Sequence, residues 1–286
     1  MIRLFTDTSA NLPLALVRRH SITVVPFSYT LDGALADYSA ETDFDGRAYY
    51  EAMRGGAMVH TSMINPAAFV EAFEPAIADG DDVLYVGMSG GISGTAAAAA
   101  LAVRELKEKY PAARAAAIDT YAASLGEGLQ VLDAAECIAA GMPFDALVER
   151  LEQHKANMCQ FFTVDDLNFL KRNGRLSGAT AMVGTMLGIK PILRGDETGH
   201  IVQRDKVRGM KRAMAELARL YDERALDKSA AIGIAHADAP ADALHLTSLL
   251  REKGFTGECL SVYYEPVTGS HVGPGTVALF FWGTEK

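Results

Sequence analysis

The sequence predicts a two-domain α/β protein, and three observations carry that expectation. Short β-branched or apolar runs alternate with helical patterns through the first half, the texture changes near Ala156, and the composition is that of an ordinary globular chain. Of 286 residues, 49% are apolar and 22% charged, enough to bury a sizeable core and too apolar for disorder.

Ile2–Thr6 is an apolar run ending in the polar turn Asp7-Thr8-Ser9-Ala10-Asn11. A helical pattern follows from Pro13, where proline suits a first turn. Ile22–Tyr29, β-branched and aromatic, is expected to be a strand, with a hairpin turn at Leu31-Asp32-Gly33. Phe44–Met53 and Pro66–Ile77 read as helices. Val83–Val86 reads as a buried strand running into the glycine-rich Gly87–Gly94, and the alanine run Ala96–Ala102, continuing to Tyr110, is a strong helix former. Ala115–Ile118 and Leu125–Ala140 add another strand and helix. Repeated strand–turn–helix units imply a parallel, Rossmann-like sheet whose ligands sit beyond the carboxyl ends of the strands.

The second half reads as α+β with a mixed sheet. Gln160–Val164 is a strand, and Asp166–Lys171 a short helix ending at Asn173-Gly174. Ala179–Leu187 is expected to be helical, Lys190–Leu193 and His200–Gln203 to pair around the turn Asp196–Gly199, and Lys206–Leu220 to form an amphipathic helix. Ala230–Ala235, Cys259–Tyr264 and Thr276–Trp282 are strands and Ala241–Lys253 a helix. The domains are therefore expected at 1–156 and 157–286, with no low-complexity linker between them.

A net charge of −9 repels phosphate backbones and argues against a nucleic-acid partner. The early charged residues of Met1-Ile2-Arg3-Leu4-Phe5-Thr6-Asp7 do not suit a secretory signal, and no run reaches the ~18 apolar residues of a membrane span. Cys137, Cys159 and Cys259 are scattered in apolar surroundings, as reduced thiols are in a cytosol, and lack metal-ligand spacing. A cytoplasmic protein without a metal is expected.

Turns rich in Asp, Ser, Thr and Gly follow the expected strands: Asp7-Thr8-Ser9, Thr61-Ser62, Ser89–Thr95 and Asp119–Ser124. A fifth lies at Gly269–Gly275. Any one of them suits ordinary turn and capping chemistry. Together they suggest one sheet edge lined with donors. Ser93 and Gly94 open the Ala96 helix, and a helix start with its unpaired N–H groups is an anion site for carboxylate or phosphate alike. The loop lacks the lysine and spacing of a nucleotide P-loop, and no G-x-G-x-x-G follows the first strand. The same loop allows a rival reading. Gly87-Met88-Ser89-Gly90-Gly91 matches G-x-S-x-G, with Asp119 and His271 downstream in hydrolase order, so a serine hydrolase using Ser89 is the alternative. Against it, Gly90-Gly91 separate the serine from the helix.

Several spaced motifs carry a family resemblance. Asp7-Thr8-Ser9-Ala10-Asn11-Leu12, Thr61-Ser62, Ser93-Gly94-Thr95, Asp119-Thr120 with Ser124-Leu125-Gly126, Leu170–Ser177, Leu187–Leu193 and His271-Val272-Gly273-Pro274-Gly275 together resemble the DegV family, in order and over essentially the whole chain. Asn11 and Gly90-Gly91 depart from its usual pattern. The resemblance implies two domains with a long-chain fatty acid bound between them. It also implies a non-catalytic role as the binding subunit of a bacterial fatty acid kinase. The carrier would present the carboxylate to a separate ATP-dependent kinase subunit, carry the acyl phosphate, and transiently meet acyl-transfer enzymes. Carried onto this chain, it makes Thr61, Ser93 and His271 the carboxylate ligands, supported by backbone at Gly94 and by Ser62. No cofactor is expected beyond the bound fatty acid.

The chemistry suits those roles. A carboxylate leaving water needs several donors, and two hydroxyls and an imidazole supply them. At ~0.8 kcal/mol per buried CH₂, about 14 methylenes contribute up to roughly 11 kcal/mol against an association cost of ~4–15 kcal/mol. The tail therefore sets retention and the head sets orientation. Ile92 and the neighbours Met182, Met186 and Leu187 are candidates for the tail pocket, with plain core packing as the simpler role for the methionines. Arg175, in the stretch Asn173-Gly174-Arg175, and Arg208 are candidates to face the phosphate or the partner.

Overall fold

The computed structural model describes residues 1–38, 44–176 and 188–284. The chain opens with β1 (Ile2–Asp7), a single 3-10 turn capped by the Asp7 carboxylate, and the short helix α1 (Leu14–Arg19). The expected strand at Ile22–Tyr29 is two strands in two sheets. β2 (Thr23–Val25) pairs parallel with β1, whereas β3 (Ser28–Leu31) leaves for an antiparallel hairpin with β4 (Ala34–Asp37). Pro26 sits at the break, where it has no N–H to give a ladder, and the next amide, Phe27 N, donates to Thr8 Oγ1 at 3.1 Å.

Helix α2 (Gly46–Arg54) starts under its cap Asp45, and β5 (Val59–Ser62) returns to pair with β3. Thr61 and Ser62, expected in a turn, thus end a strand. Asn65 caps α3 (Pro66–Ala78), β6 (Asp82–Gly87) is almost wholly buried, and α4 (Thr95–Lys109) follows the glycine-rich loop. Next come β7 (Ala115–Asp119), α5 (Leu125–Ala139) and α6 (Phe144–His154). The last was not anticipated, although Phe144, Leu147 and Leu151 give it a buried stripe at helical spacing. The first sheet is all parallel in the order β2-β1-β6-β7. Its direction of winding reverses between β1 and β6, which opens a crevice beyond Asp7 and Gly87.

The second half contributes β8 (Met158–Thr163), α7 (Asn168–Arg172), β9 (Ile189–Gly195), β10 (Ile201–Arg208) and α8 (Met210–Arg224). After these come β11 (Ile232–His236), α9 (Pro240–Glu252), β12 (Cys259–Tyr263), α10 (Pro266–Val272) and β13 (Val277–Trp282). The sheet is mixed, in the order β10-β9-β8-β13-β11-β12. Two expectations are corrected. The helix expected from Lys206 begins at Met210, because Lys206 and Arg208 pair with Pro191 and Ile189 across the β9–β10 ladder, and Gly209 breaks the strand at φ 85°. The turn expected over Gly269–Gly275 is helical as far as Val272, with Glu265 accepting from the amides of Val267 and Thr268 as its cap. The helix expected at Ala179–Leu187 lies outside the described residues.

Helix α5 joins the halves. It packs on β1 and β6 on one side and on β8, β11 and β13 on the other. The stretch Leu125-Gly126-Glu127-Gly128 explains how it fits. A Cβ on Gly126 would sit 2.8 Å from the Phe280 ring, and one on Gly128 would sit 2.5 Å from the Ala10 carbonyl. Glycine lets the helix touch both neighbours at once. One core cluster accordingly runs from Leu4, Leu84 and Ile118 through Leu125 and Leu129 to Phe162, Ala278 and Phe280. The outer faces are covered by α3 and α4 on the first sheet and by α8 and α9 on the second.

Candidate functional site

The end of β5, the loop before α4, the turn after α7 and helix α10 meet at one place. Thr61 Oγ1 and His271 Nε2, 210 residues apart in sequence, are 3.0 Å apart. Gly94 lies over Met63, two residues beyond Thr61: a Cβ on Gly94 would stand 2.9 Å from the Met63 Sδ. Arg175 closes the arrangement. Its Nε donates to the Ile92 carbonyl at 3.2 Å and its Nη1 to the Asn173 carbonyl at 2.5 Å, and its charge acts on His271. Ser93 Oγ lies 2.8 Å from Thr95 Oγ1 and accepts from Thr95 N at 3.3 Å, at the mouth of a helix of 15 residues.

His271 is largely buried, and burial first, with Arg175 second, brings its pKa down to about 4. At neutral pH the imidazole carries a single N–H. Nε2 faces the Thr61 hydroxyl, while Nδ1 is buried with no hydrogen-bond partner among the described residues. Because a hydroxyl both donates and accepts, either tautomer satisfies the pair, and the pair as a whole offers a proton to an incoming carboxylate. Two elements seat the histidine. Tyr49 and Tyr50 of α2 donate to the carbonyls of Pro266 and Tyr264 at 2.7 and 2.8 Å, fixing where α10 begins. Beyond α10, Gly273 and Gly275 have φ of 80° and 81°, and Cβ atoms there would fall 2.4 Å from the Phe169 ring and 2.6 Å from the Asp165 carboxyl. The Gly-Pro-Gly turn is required by this contact.

An apolar cavity of about 60 Å³ adjoins these polar groups. Ile92 and Val272 line it on the side of the polar groups, with Ala123, Phe162, Ile201 and Phe280 along its length. Among its polar wall residues Gln160 is already engaged, with Oε1 accepting from Ala123 N at 3.2 Å and Nε2 donating to the Tyr121 carbonyl at 2.8 Å.

The structure thus brings Thr61 and His271 into contact, with Arg175 acting on His271 and Gly94 against Met63, while Ser93 lies between Ile92 and Gly94 and bonds Thr95, and Ile92 belongs to both the polar corner and the cavity. Ser62 is exposed at the strand end. Arg208 is exposed at the end of β10, and its side chain makes no hydrogen bond or ion pair among the described residues. Met182, Met186 and Leu187 lie outside the described residues. Sequence reasoning missed the cavity walls on β8, β10 and β13, whose apolar side chains look like any core strand.

The hydrolase alternative fails on geometry. The Ser89 hydroxyl is buried, donates to the Gly199 carbonyl at 2.9 Å and accepts from Gly91 N at 3.1 Å. Asp119 accepts from Gly90 N and Tyr121 N, and His271 is paired with Thr61. No imidazole serves Ser89 among the described residues. Asp7, the acid of the first turn, is likewise committed, accepting from Ser9 N, Tyr85 Oη and Met88 N deep in the core. Among the described residues no group of His, Cys, Asp and Glu is placed to hold a metal, and no helix is long and apolar enough to cross a membrane.

Comparison with known proteins agrees with this fold. The model of the DegV family, described as uncharacterised proteins, matches residues 1–284. A DegV domain-containing protein of Clostridium perfringens is 36% identical over 99% of this chain and 98% of its own. A solved structure of a fatty-acid-binding DegV family protein from Thermus thermophilus superposes with a TM-score of 0.87 at 31% identity, covering 99% of each chain. Another from Streptococcus agalactiae, also fatty-acid-binding, gives 0.87 at 30% identity over 98% of each.

Proposed function

The chain belongs to the DegV family, and from that premise we propose that it binds a long-chain fatty acid with the carboxylate at Thr61, Ser93 and His271 and the tail in the cavity beside Ile92. The observation that carries the reading is the Thr61–His271 pair, assembled from distant segments at the edge of an apolar cavity. Relatives whose solved structures are described as fatty-acid-binding share the fold along nearly the whole chain, which supports it. Ser62 and the backbone at Gly94 extend the donor set, and we place the division between the two domains near Ala156, so that the ligand lies between them.

The division of labour follows from the surroundings. The carboxylate meets two hydroxyls and a neutral imidazole, with the Arg175 guanidinium near enough to depress the histidine. These orient the head group at the protein edge. The cavity is narrow: ~10–15 Å³ on this measure holds one water, so a tail of about 14 methylenes requires the walls to part as it enters. Retention then comes from the tail and presentation from the head.

The carrier role follows from presentation. A carboxylate oxygen held at the surface attacks the γ-phosphorus of ATP on a separate kinase subunit, ADP leaves, and an acyl phosphate remains on the carrier. Arg175 and Arg208 are the residues assigned to face the new phosphate and the partner, in a cytoplasmic setting. The test is mass spectrometry of lipid extracted from purified protein, followed by ATP-dependent acyl-phosphate formation with a bacterial fatty acid kinase subunit. The reading expects a stoichiometric long-chain fatty acid, and Ser93→Ala and His271→Ala are expected to slow acyl-phosphate formation more than they reduce retained lipid. Protein that neither carries nor takes up a fatty acid would sink it.

A further inference from the structure

A second opening lies across Tyr121 from the apolar cavity. It is a cleft of about 580 Å³ lined by Lys155, Arg194, Arg204, Arg224, Glu152 and Glu197, with Tyr121 in its wall. Four cations therefore face two carboxylates, in a chain whose net charge is −9. They come from the end of α6, from β9, from β10 and from α8, so the fold gathers them from four separate segments.

Three of the four are held in place. Lys155 Nζ sits 4.3 Å from the centre of the Tyr121 ring, and its side chain is 12% exposed. The Arg194 Nη1 donates to the Gly195 carbonyl at 3.2 Å, and the side chain is 21% exposed. Arg224 lies over the Phe161 ring at 5.9 Å, with its Nη1 3.5 Å from the Glu223 carboxylate and its Nε buried without a hydrogen-bond partner among the described residues. Arg204 is the fourth, at the irregularity between Gln203 and Asp205, exposed and without an ion pair among the described residues. Fixed cations lose little side-chain freedom when a ligand arrives. The competing carboxylates are weak holders, since Glu197 and Glu152 are 76% and 47% exposed and pair with their neighbours through solvent-screened contacts.

We propose that this cleft is a ligand site, separate from the fatty-acid site, for a small molecule carrying a diphosphate group. Guanidinium forks match phosphate oxygens two at a time, and three arginines with a lysine present more donors than a single carboxylate uses. The volume lies in the ordinary range for a small-molecule site, roughly 300–1,000 Å³. The pairs that Lys155, Arg194 and Arg224 make with Glu152, Glu197 and Glu223 are half-exposed or more on the acid side, so a dianion or trianion competes with weak partners. The proposal stands independently of the fatty-acid reading, because none of these charged residues lines the apolar cavity.

Isothermal titration calorimetry of the full chain with inorganic pyrophosphate tests it, with ADP and polyglutamate as further arms. One equivalent of pyrophosphate is expected to bind with a Kd below about 1 mM, weakening as salt is raised. Arg204→Glu and Arg194→Gln are each expected to weaken it about tenfold or more, at about 1.4 kcal/mol per tenfold. Arg204→Glu is expected to keep the wild-type fatty-acid content. ADP binding much tighter than pyrophosphate identifies a nucleotide as the source of the diphosphate; equal affinity identifies the inorganic anion. The proposal is overturned by absent pyrophosphate binding, by affinity unchanged in both variants, or by polyglutamate binding more tightly than either phosphate ligand.

Discussion

Replacing His271 by glutamine is expected to change how stability responds to acid. In the fold the imidazole pKa falls from 6.5 to about 4. Between those values the unfolded chain takes up a proton that the folded chain refuses, so acid pulls the equilibrium toward unfolding. Stability held by the neutral histidine is thus complete above about pH 6.5 and is lost progressively toward about pH 4, and at 1.36 kcal/mol per unit the loss is about 3 kcal/mol. His271→Gln removes the titration. Whatever the variant loses at about pH 7.5 through its Thr61 contact, its stability relative to wild type should rise by about 3 kcal/mol on going to about pH 4. Urea unfolding of delipidated protein at several pH values reads this directly, and taking the difference from wild type cancels the other titrating groups. A difference that does not move with pH would refute the buried, neutral histidine. Glu265, which caps the same helix, supplies the mirror case. Burial raises its pKa from 4.5 to about 7, so its contribution is present below about pH 4.5 and lost as pH rises through 7. Glu265→Gln should therefore gain about 3 kcal/mol relative to wild type over that rise, on top of a fixed loss from giving the Val267 amide no acceptor.

Three further outcomes follow from the geometry. Thr61→Val should weaken fatty-acid affinity about tenfold or more, the worth of a hydrogen bond to a charged group, by displacement of a fluorescent fatty acid; unchanged affinity would remove Thr61 from the head-group site. Gly199→Ala should lower stability by about 2 kcal/mol or more, since φ is 79° and the new Cβ would stand 2.0 Å from Ser89 Oγ; Ser89→Ala in the same chain should restore part of the loss in a thermal melt. Glu127→Gln should be nearly neutral in urea unfolding while Asp7→Asn costs about 2 kcal/mol or more, and equal losses would contradict a proton resident on Glu127.

The fold class was legible because parallel strands and their helices differ in period and length, and both sheets contain the strands that the sequence marks out. Three boundaries were not, each for a local reason. Pro26 cuts a β-branched run that looks continuous, and only the third sheet gives β3 somewhere to go. Lys206 and Arg208 fit a helical pattern, yet seven paired positions with β9 outweigh that local preference. The stretch after Pro266 is rich in glycine and looks like a loop, and it becomes a helix because the buried Glu265 side chain satisfies its first amides. Within the candidate site, Ser93 at a helix start and His271 among small residues had local signals, whereas Thr61 was reached through the family resemblance. The cavity wall did not, because Phe162 and Phe280 alternate along β8 and β13 as any sheet core does.

The first turn shows why similar composition gave different roles to Asp7 and Ser93. Ser9 Oγ lies 2.5 Å from an Asp7 oxygen and 2.6 Å from a Glu127 oxygen, and all three residues are buried. A hydroxyl has one hydrogen, so it cannot donate to two carboxylates; one contact must run the other way, from a protonated acid. Asp7 also accepts from Ser9 N, Tyr85 Oη and Met88 N, whereas among the described residues Glu127 has only Thr6 Oγ1 as a further donor. Burial, with Asp7 second, raises the Glu127 pKa well above the ordinary value, which makes Glu127 the neutral member. The proton on Glu127 removes a repulsion between two acids that would otherwise separate β1 from α5. Since α5 also packs on β8, β11 and β13, this buried hydrogen bond fixes the seat of the helix that both sheets contact.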